Sequence, residues 1–127
     1  MNNQLKDINI VIILGSVRPD NFTKKAAELV LDELKQYKEI TVTLIDPKDL
    51  NLPLPGIKMD NSDSEKLQST VSKATGIILA TPEYHGSFSS TMKLIIDNLG
   101  FPSVLAAKPI ALLGVAAGQI GAIKALE

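Results

Sequence analysis

The chain has 127 residues, of which 45% are hydrophobic and 21% are charged, and its formal net charge is -1. These values exclude a disordered chain and predict a single domain over residues 1–127. The near-neutral charge gives no field that attracts nucleic acid or anionic lipid, so neither is expected as a partner. With no cysteine and one histidine, a disulfide framework, a thiolate nucleophile and a multi-histidine metal site are excluded.

No segment has the pattern of a leader peptide or of a membrane span. The apolar run 8–14 follows Lys6 and Asp7 and has no small-residue cleavage site after it. The longest uncharged stretch, 109–123, contains three glycines and is shorter than the roughly 20 apolar residues of a spanning helix. We therefore expect a soluble protein, and the absence of cysteine is consistent with a cytoplasmic location.

Apolar, β-branched runs alternate with helical patterns along the chain. The run 8–14 is apolar on both faces except at Asn9, as in a strand that is covered on both sides. Similar runs lie at 40–45, 76–80 and 109–114. Helical periodicity separates them, through Phe22, Ala26, Leu29, Val30, Leu34 and Tyr37, then Leu67, Val71 and Ala74, then Met92, Ile95, Ile96 and Leu99. This order predicts a three-layer α/β fold, a doubly wound parallel sheet with helices on both faces.

Ligands of such sheets bind beyond the carboxyl ends of the strands, where the strand order reverses. The loops at this edge are predicted at 15–23, 46–61, 81–89 and 114–121. The last periodic segment, 119–127, begins as a helix and stops after about two turns, so the apolar strand at 109–114 is expected to be an edge open to pairing.

The loop after the first strand combines hydroxyl and amide side chains with Arg18 and leads into a helix N-terminus. Backbone N–H groups and the helix dipole favour an anion there, and a guanidinium suits phosphate. Gly15 is its only glycine, so the dinucleotide and P-loop fingerprints are absent. A plain polar turn capped by Asp20 or Asn21 explains the same residues.

The loop after the third strand carries Glu83, Tyr84 and His85 behind a stiffening proline, which suits a planar ligand. Taken singly, Glu83, Tyr84 and His85 are more often a solvated carboxylate or a ligand of loop amides, a half-buried packing residue and an exposed loop histidine, respectively. The small residues of 114–121 allow a backbone to approach a flat ligand closely, or simply to pack tightly.

Together these loops resemble the flavodoxin-like NADPH-dependent FMN reductase family, whose relatives include quinone, chromate and azo reductases. The resemblance rests on Gly15-Ser16-x-Arg18 followed by Thr23, on Thr81-Pro82-Glu83-Tyr84-His85-Gly86-Ser87 with Lys93 and Asp97, and on Gly114-x-x-x-Gly118-x-x-Gly121. It spans essentially the whole chain and implies strand order 2-1-3-4. The family's usual fifth strand and last helix are missing, so we expect a C-terminally shortened member.

The resemblance also implies FMN as cofactor and NADPH or NADH as co-substrate. It assigns the FMN phosphate to Ser16, Arg18, Asn21, Phe22 and Thr23, the flavin ring to Pro82, Glu83, Tyr84, His85 and Gly86, and the loop closing over it to Gly118. No catalytic side chain is implied, because the flavin carries the chemistry. Members often have Asn in place of His85 and Pro-Gly in place of Ser89-Ser90.

The expected function is an FMN-dependent NAD(P)H oxidoreductase that passes a hydride through FMN to a small acceptor such as free flavin or a quinone. The resemblance implies a cytoplasmic homodimer or tetramer. Two alternatives remain open: an FMN-binding electron-transfer protein without NAD(P)H oxidase activity, and an inactive shortened fragment.

Overall fold

The computed structural model describes residues 7–127. Its elements are β1 (Ile8–Leu14), α1 (Phe22–Leu34), β2 (Ile40–Ile45), α2 (Ser64–Ser72), β3 (Gly76–Tyr84), β4 (Ser87–Phe88), α3 (Ser90–Asp97), β5 (Ile110–Val115) and α4 (Ile123–Leu126). A single 3-10 turn, Pro47–Asp49, follows β2. No helix within 7–127 is long and apolar enough to cross a membrane.

The parallel sheet has the order β2-β1-β3-β5, with β1 paired to β2 and β3, and β5 paired to β3. This confirms the predicted flavodoxin-like order, because β5 is the fourth long strand along the chain. The short strand β4 was not predicted, and it pairs antiparallel with the end of β3. The strand order reverses between β1 and β3, so a ligand site is expected above these two strands.

Alternate residues of β1 enter two separate apolar clusters. Val11 and Ile13 pack with residues of α2 and α3, whereas Ile12 and Leu14 pack with Ala27 of α1. All four β1 side chains are almost completely buried, each contributing about 1.5–3 kcal/mol of stabilisation. The absence of polar alternation in this strand therefore follows from helices that cover both of its faces.

The outer edge of β5 has no partner strand within 7–127, and it is apolar as predicted. Ile110 and Leu112 remain 42% and 54% exposed. The short helix α4 lies against the end of β5, where a Cβ added to Gly114 would be only 2.7 Å from the Cβ of Ala122. The close approach of α4 therefore requires glycine at this position.

Candidate functional site

A cavity of about 530 Å³ and a larger one of about 760 Å³ lie at the carboxyl edge of the sheet. The larger, which we call the main cavity, is lined by the loop between β1 and α1, by the last residues of β3, and by the end of β5 with the two residues after it. Its residues are Ser16, Arg18, Pro19, Asp20, Asn21, Phe22, Thr23, Pro82, Glu83, Tyr84, Val115, Ala116 and Ala117. Its volume is within the range of small-molecule and cofactor sites.

The loop between β1 and α1 is held in shape by its own side chains. Asn21 is the N-cap of α1: its Oδ1 accepts from the Lys24 amide at 2.7 Å, and its Nδ2 donates to the Arg18 carbonyl at 2.7 Å. Ser16 Oγ accepts from the Arg18 amide at 3.3 Å. Asp20 has a left-handed backbone with φ of 51°, which turns the chain into the helix. Of the two residues predicted as possible caps, Asn21 has that role.

Several donors of this loop remain for a ligand. The amides of Phe22 and Thr23, the first two of α1, have no acceptor within the helix. Thr23 is 2% exposed and lines the main cavity, so its hydroxyl is close to any ligand bound there. Arg18 forms no ion pair within the same residues. Together with the positive end of the helix dipole, these groups can hold an anion.

The second wall is a β-hairpin formed by β3 and β4. Glu83 pairs with Phe88 and Tyr84 with Ser87, so only two residues form the turn. These are His85 and Gly86, with φ of 51° and 72°, as in a type I′ turn. The half-buried Glu83 and Tyr84 line the main cavity, whereas the exposed turn residues do not.

A buried hydrogen-bond network joins the first and second walls. Ser89 is fully buried, and its Oγ donates to the carbonyl of Gly15 at 2.5 Å while it accepts from the Met92 amide at 3.0 Å. The Ser89 amide donates to Thr81 Oγ1 at 3.1 Å. Ser89 is therefore both the N-cap of α3 and the link that fixes the spacing of the two loops.

The third wall consists of Val115, the last residue of β5, and of Ala116 and Ala117, which follow it. Their small side chains leave room for a flat ligand next to the backbone. This wall lies in the predicted loop 114–121, but the site residue predicted there, Gly118, is exposed and lies outside the lining. The position of Val115 at the carboxyl end of a parallel strand was the signal that could have identified it.

All the predicted residues of the first loop line the main cavity, as do Pro82, Glu83 and Tyr84. His85, Gly86 and Gly118 lie outside the lining. The roles of all these residues toward FMN stay predictions.

The smaller cavity, which we call the lysine cavity, lies on the other side of the β1–α1 loop. Both cavities share Ser16, Arg18, Pro19, Asp20 and Asn21, and the lysine cavity adds Val17, Lys24, Lys25, Glu28, Asp46 and Lys48. Asp46 Oδ2 lies 3.0 Å from Lys24 Nζ and 3.7 Å from Lys48 Nζ. The hydrogen bond and the negative charge of Asp46 raise the pKa of Lys24 above its ordinary value.

The fold and the main cavity define a doubly wound α/β protein with a ligand site where the strand order reverses. The chain belongs to the NADPH-dependent FMN reductase family, whose model matches residues 8–127. It is 34% identical over 123 residues to an NADPH azoreductase of Bacillus sp. (strain OY1-2), covering 94% of this chain and 65% of the relative. It is 25% identical over 116 residues to an FMN-dependent NADPH-azoreductase of Staphylococcus aureus, covering 87% of this chain and 61% of the relative.

Solved structures show the same fold. The apo form of an NADH:FMN oxidoreductase (EMOB) superposes with a TM-score of 0.75 at 26% identity, over 89% of this chain and 60% of that one. The flavoenzyme FerB, an NAD(P)H:(acceptor) oxidoreductase from Paracoccus denitrificans, superposes with a TM-score of 0.77 at 24% identity, over 93% and 66%. This chain thus spans about three fifths to two thirds of the length of these relatives and structures.

Proposed function

We propose that this protein is an FMN-dependent NAD(P)H oxidoreductase that passes electrons from NADPH or NADH through bound FMN to a small acceptor. The observation that carries the proposal is the main cavity, a single site lined by the three loops that the sequence motifs assign to FMN. The names of the relatives support it, because they are NADPH- or NADH-dependent and FMN-dependent reductases.

In this proposal the β1–α1 loop binds the phosphate of FMN. The unpaired amides of Phe22 and Thr23 and the Thr23 hydroxyl donate to phosphate oxygens, and Arg18 adds a guanidinium that suits a phosphate in two-pronged geometry. Asn21 keeps this loop in shape before the ligand arrives, since both ends of its side chain are bonded to the loop itself. Such preorganisation reduces the entropy that is lost on binding.

In this proposal Pro82 and Tyr84 of the β3–β4 hairpin, together with Ala116 and Ala117 after β5, would hold the flavin ring. Pro82 is buried and Tyr84 half-buried, so this part of the cavity is stiff and largely apolar. Ala116 and Ala117 carry no bulky side chain, which allows the backbone to contact the ring face. These walls orient the ring and exclude water from one of its faces.

When bound, FMN supplies the ability to accept and donate two electrons, so the chain needs no acid, base or nucleophile of its own. The residues of the chain would bind and orient FMN and shield it from water.

The acceptor is a small molecule such as free flavin, a quinone or an azo dye, the last being the substrate class named for the Bacillus relative. The absence of cysteine is consistent with action in the cytoplasm, and the apolar β5 edge is consistent with a homodimer or tetramer.

The test is the visible absorption spectrum of the purified chain after it is loaded with FMN and freed of excess. We expect retained flavin peaks that bleach when NADPH is added without oxygen and return when an acceptor is added. Flavin that is retained but stays oxidised with both NADPH and NADH would instead indicate an electron-transfer protein. A folded chain that retains no flavin would contradict the proposal.

The matched variants are Thr23→Val and Thr41→Val. Thr23 lines the main cavity, whereas Thr41 is exposed on the edge strand β2. Both changes remove one hydroxyl and keep the shape of the side chain. Weaker FMN retention is expected for the first variant alone, and equal retention by both would show that FMN does not use the Thr23 hydroxyl.

A further inference from the structure

The two cavities share a wall but differ in charge. Apart from the shared loop, the main cavity contains one charged residue, Glu83, whereas the lysine cavity contains Lys24, Lys25, Glu28, Asp46 and Lys48. These additional lysines do not line the main cavity, so the proposed FMN site does not use them. They form a second polar site next to the first, and the proposed function leaves it without a ligand.

Asp46 is the largely buried carboxylate with which two lysines of this second site pair. Its side chain is 10% exposed, while those of Lys24 and Lys48 are 30% and 56% exposed, so the carboxylate lies inside and the ammonium groups lie toward solvent. Its Oδ1 also accepts from the Lys48 amide at 3.1 Å, which fixes the 3-10 turn that carries Lys48. Two lysines from different elements are thereby held at one carboxylate, facing the cavity together.

We propose that the lysine cavity binds a phosphate monoester, and that its ligand in the working protein is the 2′-phosphate of NADPH. This inference rests on the proposed function, which brings the nicotinamide end of the same molecule to the flavin in the main cavity. The four cationic side chains of the lysine cavity, those of Arg18, Lys24, Lys25 and Lys48, outnumber its three carboxylates, those of Asp20, Glu28 and Asp46, so an added phosphate would meet a net positive charge. NADH lacks this group, so the cavity discriminates between the two co-substrates.

The shared wall explains why a dinucleotide suits this arrangement better than an isolated anion. A molecule that contacts the flavin and extends across residues 18–21 passes from the main cavity into the lysine cavity. Lys48 belongs to the lysine cavity alone and follows β2, the neighbour of β1 in the sheet. Its side chain can therefore contribute to the choice of nucleotide without touching the FMN site.

The first test compares NADPH and NADH kinetics of the FMN-loaded chain with those of Lys48→Gln. We expect the KM for NADPH to rise about 2- to 5-fold, as for a partly exposed charge pair, while kcat and the KM for NADH stay the same. Lys38→Gln is the matched control, because Lys38 is an exposed lysine just before β2, at the opposite end of the sheet. An equal change with both nucleotides would overturn the proposal.

Asp46→Asn provides a change of opposite sign. The variant keeps the size of the side chain and an oxygen for the Lys48 amide, but it removes the negative charge from the site. We expect the KM for NADPH to fall and the KM for NADH to stay the same. A rise in the KM values for both NADPH and NADH would indicate general damage to the loop and would contradict the proposal.

A binding measurement that does not need FMN completes the test. The flavin-free chain is titrated by calorimetry with adenosine 2′,5′-bisphosphate, with adenosine 5′-monophosphate and with inorganic phosphate. Tighter binding of the bisphosphate, weakened in Lys48→Gln, supports the proposal. That result would support it even if the chain failed to retain FMN, in which case the proposed oxidoreductase function alone would fail. Binding of inorganic phosphate as tight as that of the bisphosphate, or binding that ignores Lys48, would overturn it.

Discussion

The main cavity and the lysine cavity are two surfaces of one loop, yet they are suited to different chemistry. On one side, the β1–α1 loop faces apolar and small residues such as Pro82, Val115 and Ala116; on the other, it faces lysines and carboxylates. A flat, mostly uncharged ring suits the first side, and an exposed phosphate suits the second. In the two proposals, cofactor retention therefore depends mainly on the first side and nucleotide choice mainly on the second, while Arg18 of the common wall contributes to both.

The largest effect is expected from Gly15→Val, a change at the residue directly before the common wall. A Cβ at this position would lie 3.0 Å from Ser89 Oγ and 3.2 Å from the carbonyl oxygen of Ala80, so the loop must shift. We expect about 3 kcal/mol of destabilisation in urea unfolding, together with loss of flavin retention. Gly118→Ala is the stability control, because a Cβ there meets no atom within 4 Å. Similar unfolding midpoints for both variants would refute the tight contact.

Ser89→Ala removes the link between the two walls of the main cavity. It leaves the Gly15 carbonyl and the Met92 amide without their buried partner, which we expect to cost about 2 kcal/mol. FMN should bind more weakly, while the ratio of the KM values for NADPH and NADH stays constant. Ser90→Ala changes the exposed neighbour and should unfold like the parent chain. A shifted nucleotide ratio in Ser89→Ala would mean that the cavities are less separate than we infer.

Thr23→Val affects only the main cavity. Losing one hydrogen bond to a charged phosphate should raise the Kd for FMN about 10-fold, measured by flavin fluorescence, with stability unchanged. Thr23→Ser retains a hydroxyl and should restore most of the affinity. A rise in the KM for NADPH without a rise in the Kd for FMN would contradict the assignment of the FMN phosphate to the Thr23 hydroxyl in the main cavity.

The smallest effect concerns the Lys24–Asp46 pair and its dependence on pH. Because Asp46 raises the pKa of Lys24 above the ordinary lysine value of 10.5, the pair stabilises the fold fully below that pH and less as the pH rises through the raised pKa. The difference in Tm between the parent chain and Asp46→Asn should therefore be constant between pH 7 and pH 9 and smaller at pH 11. A Tm difference that increases with pH would contradict a stabilising Lys24–Asp46 pair.

Much of the sheet could be predicted from sequence because the covered strands leave a clear pattern. The predicted runs 8–14 and 40–45 coincide with β1 and β2. The third strand was expected to end at residue 80, but β3 continues to Tyr84. Its last residues pair with β4, and Pro82 lies opposite Val115 in the parallel ladder. Val115 is distant in sequence from Pro82, and β4 follows an unusual His-Gly turn. Hydrophobic periodicity alone therefore reveals neither pairing.

The site was predictable where one loop supplies it and unpredictable where two elements meet. The motif after β1 predicted a ligand-binding loop, and this loop lines the main cavity. Lys24 lies in the first turn of α1, where the helix dipole disfavours a cation. The structure gives the compensating charge, Asp46, which lies 22 residues further along the chain at the end of β2. Only the parallel pairing of β1 and β2 brings these two residues together, so the lysine cavity has no signature in the sequence.

The wall formed by residues 16 and 18–21 has a thermodynamic consequence. If ligands in both cavities contact these shared residues, binding in one changes the free energy of binding in the other, and linkage makes the coupling reciprocal. The factor by which bound FMN changes the affinity for a phosphate ester must equal the factor by which the ester changes the affinity for FMN. Flavin retention in this protein should therefore depend on the concentration of the nucleotide that reduces it.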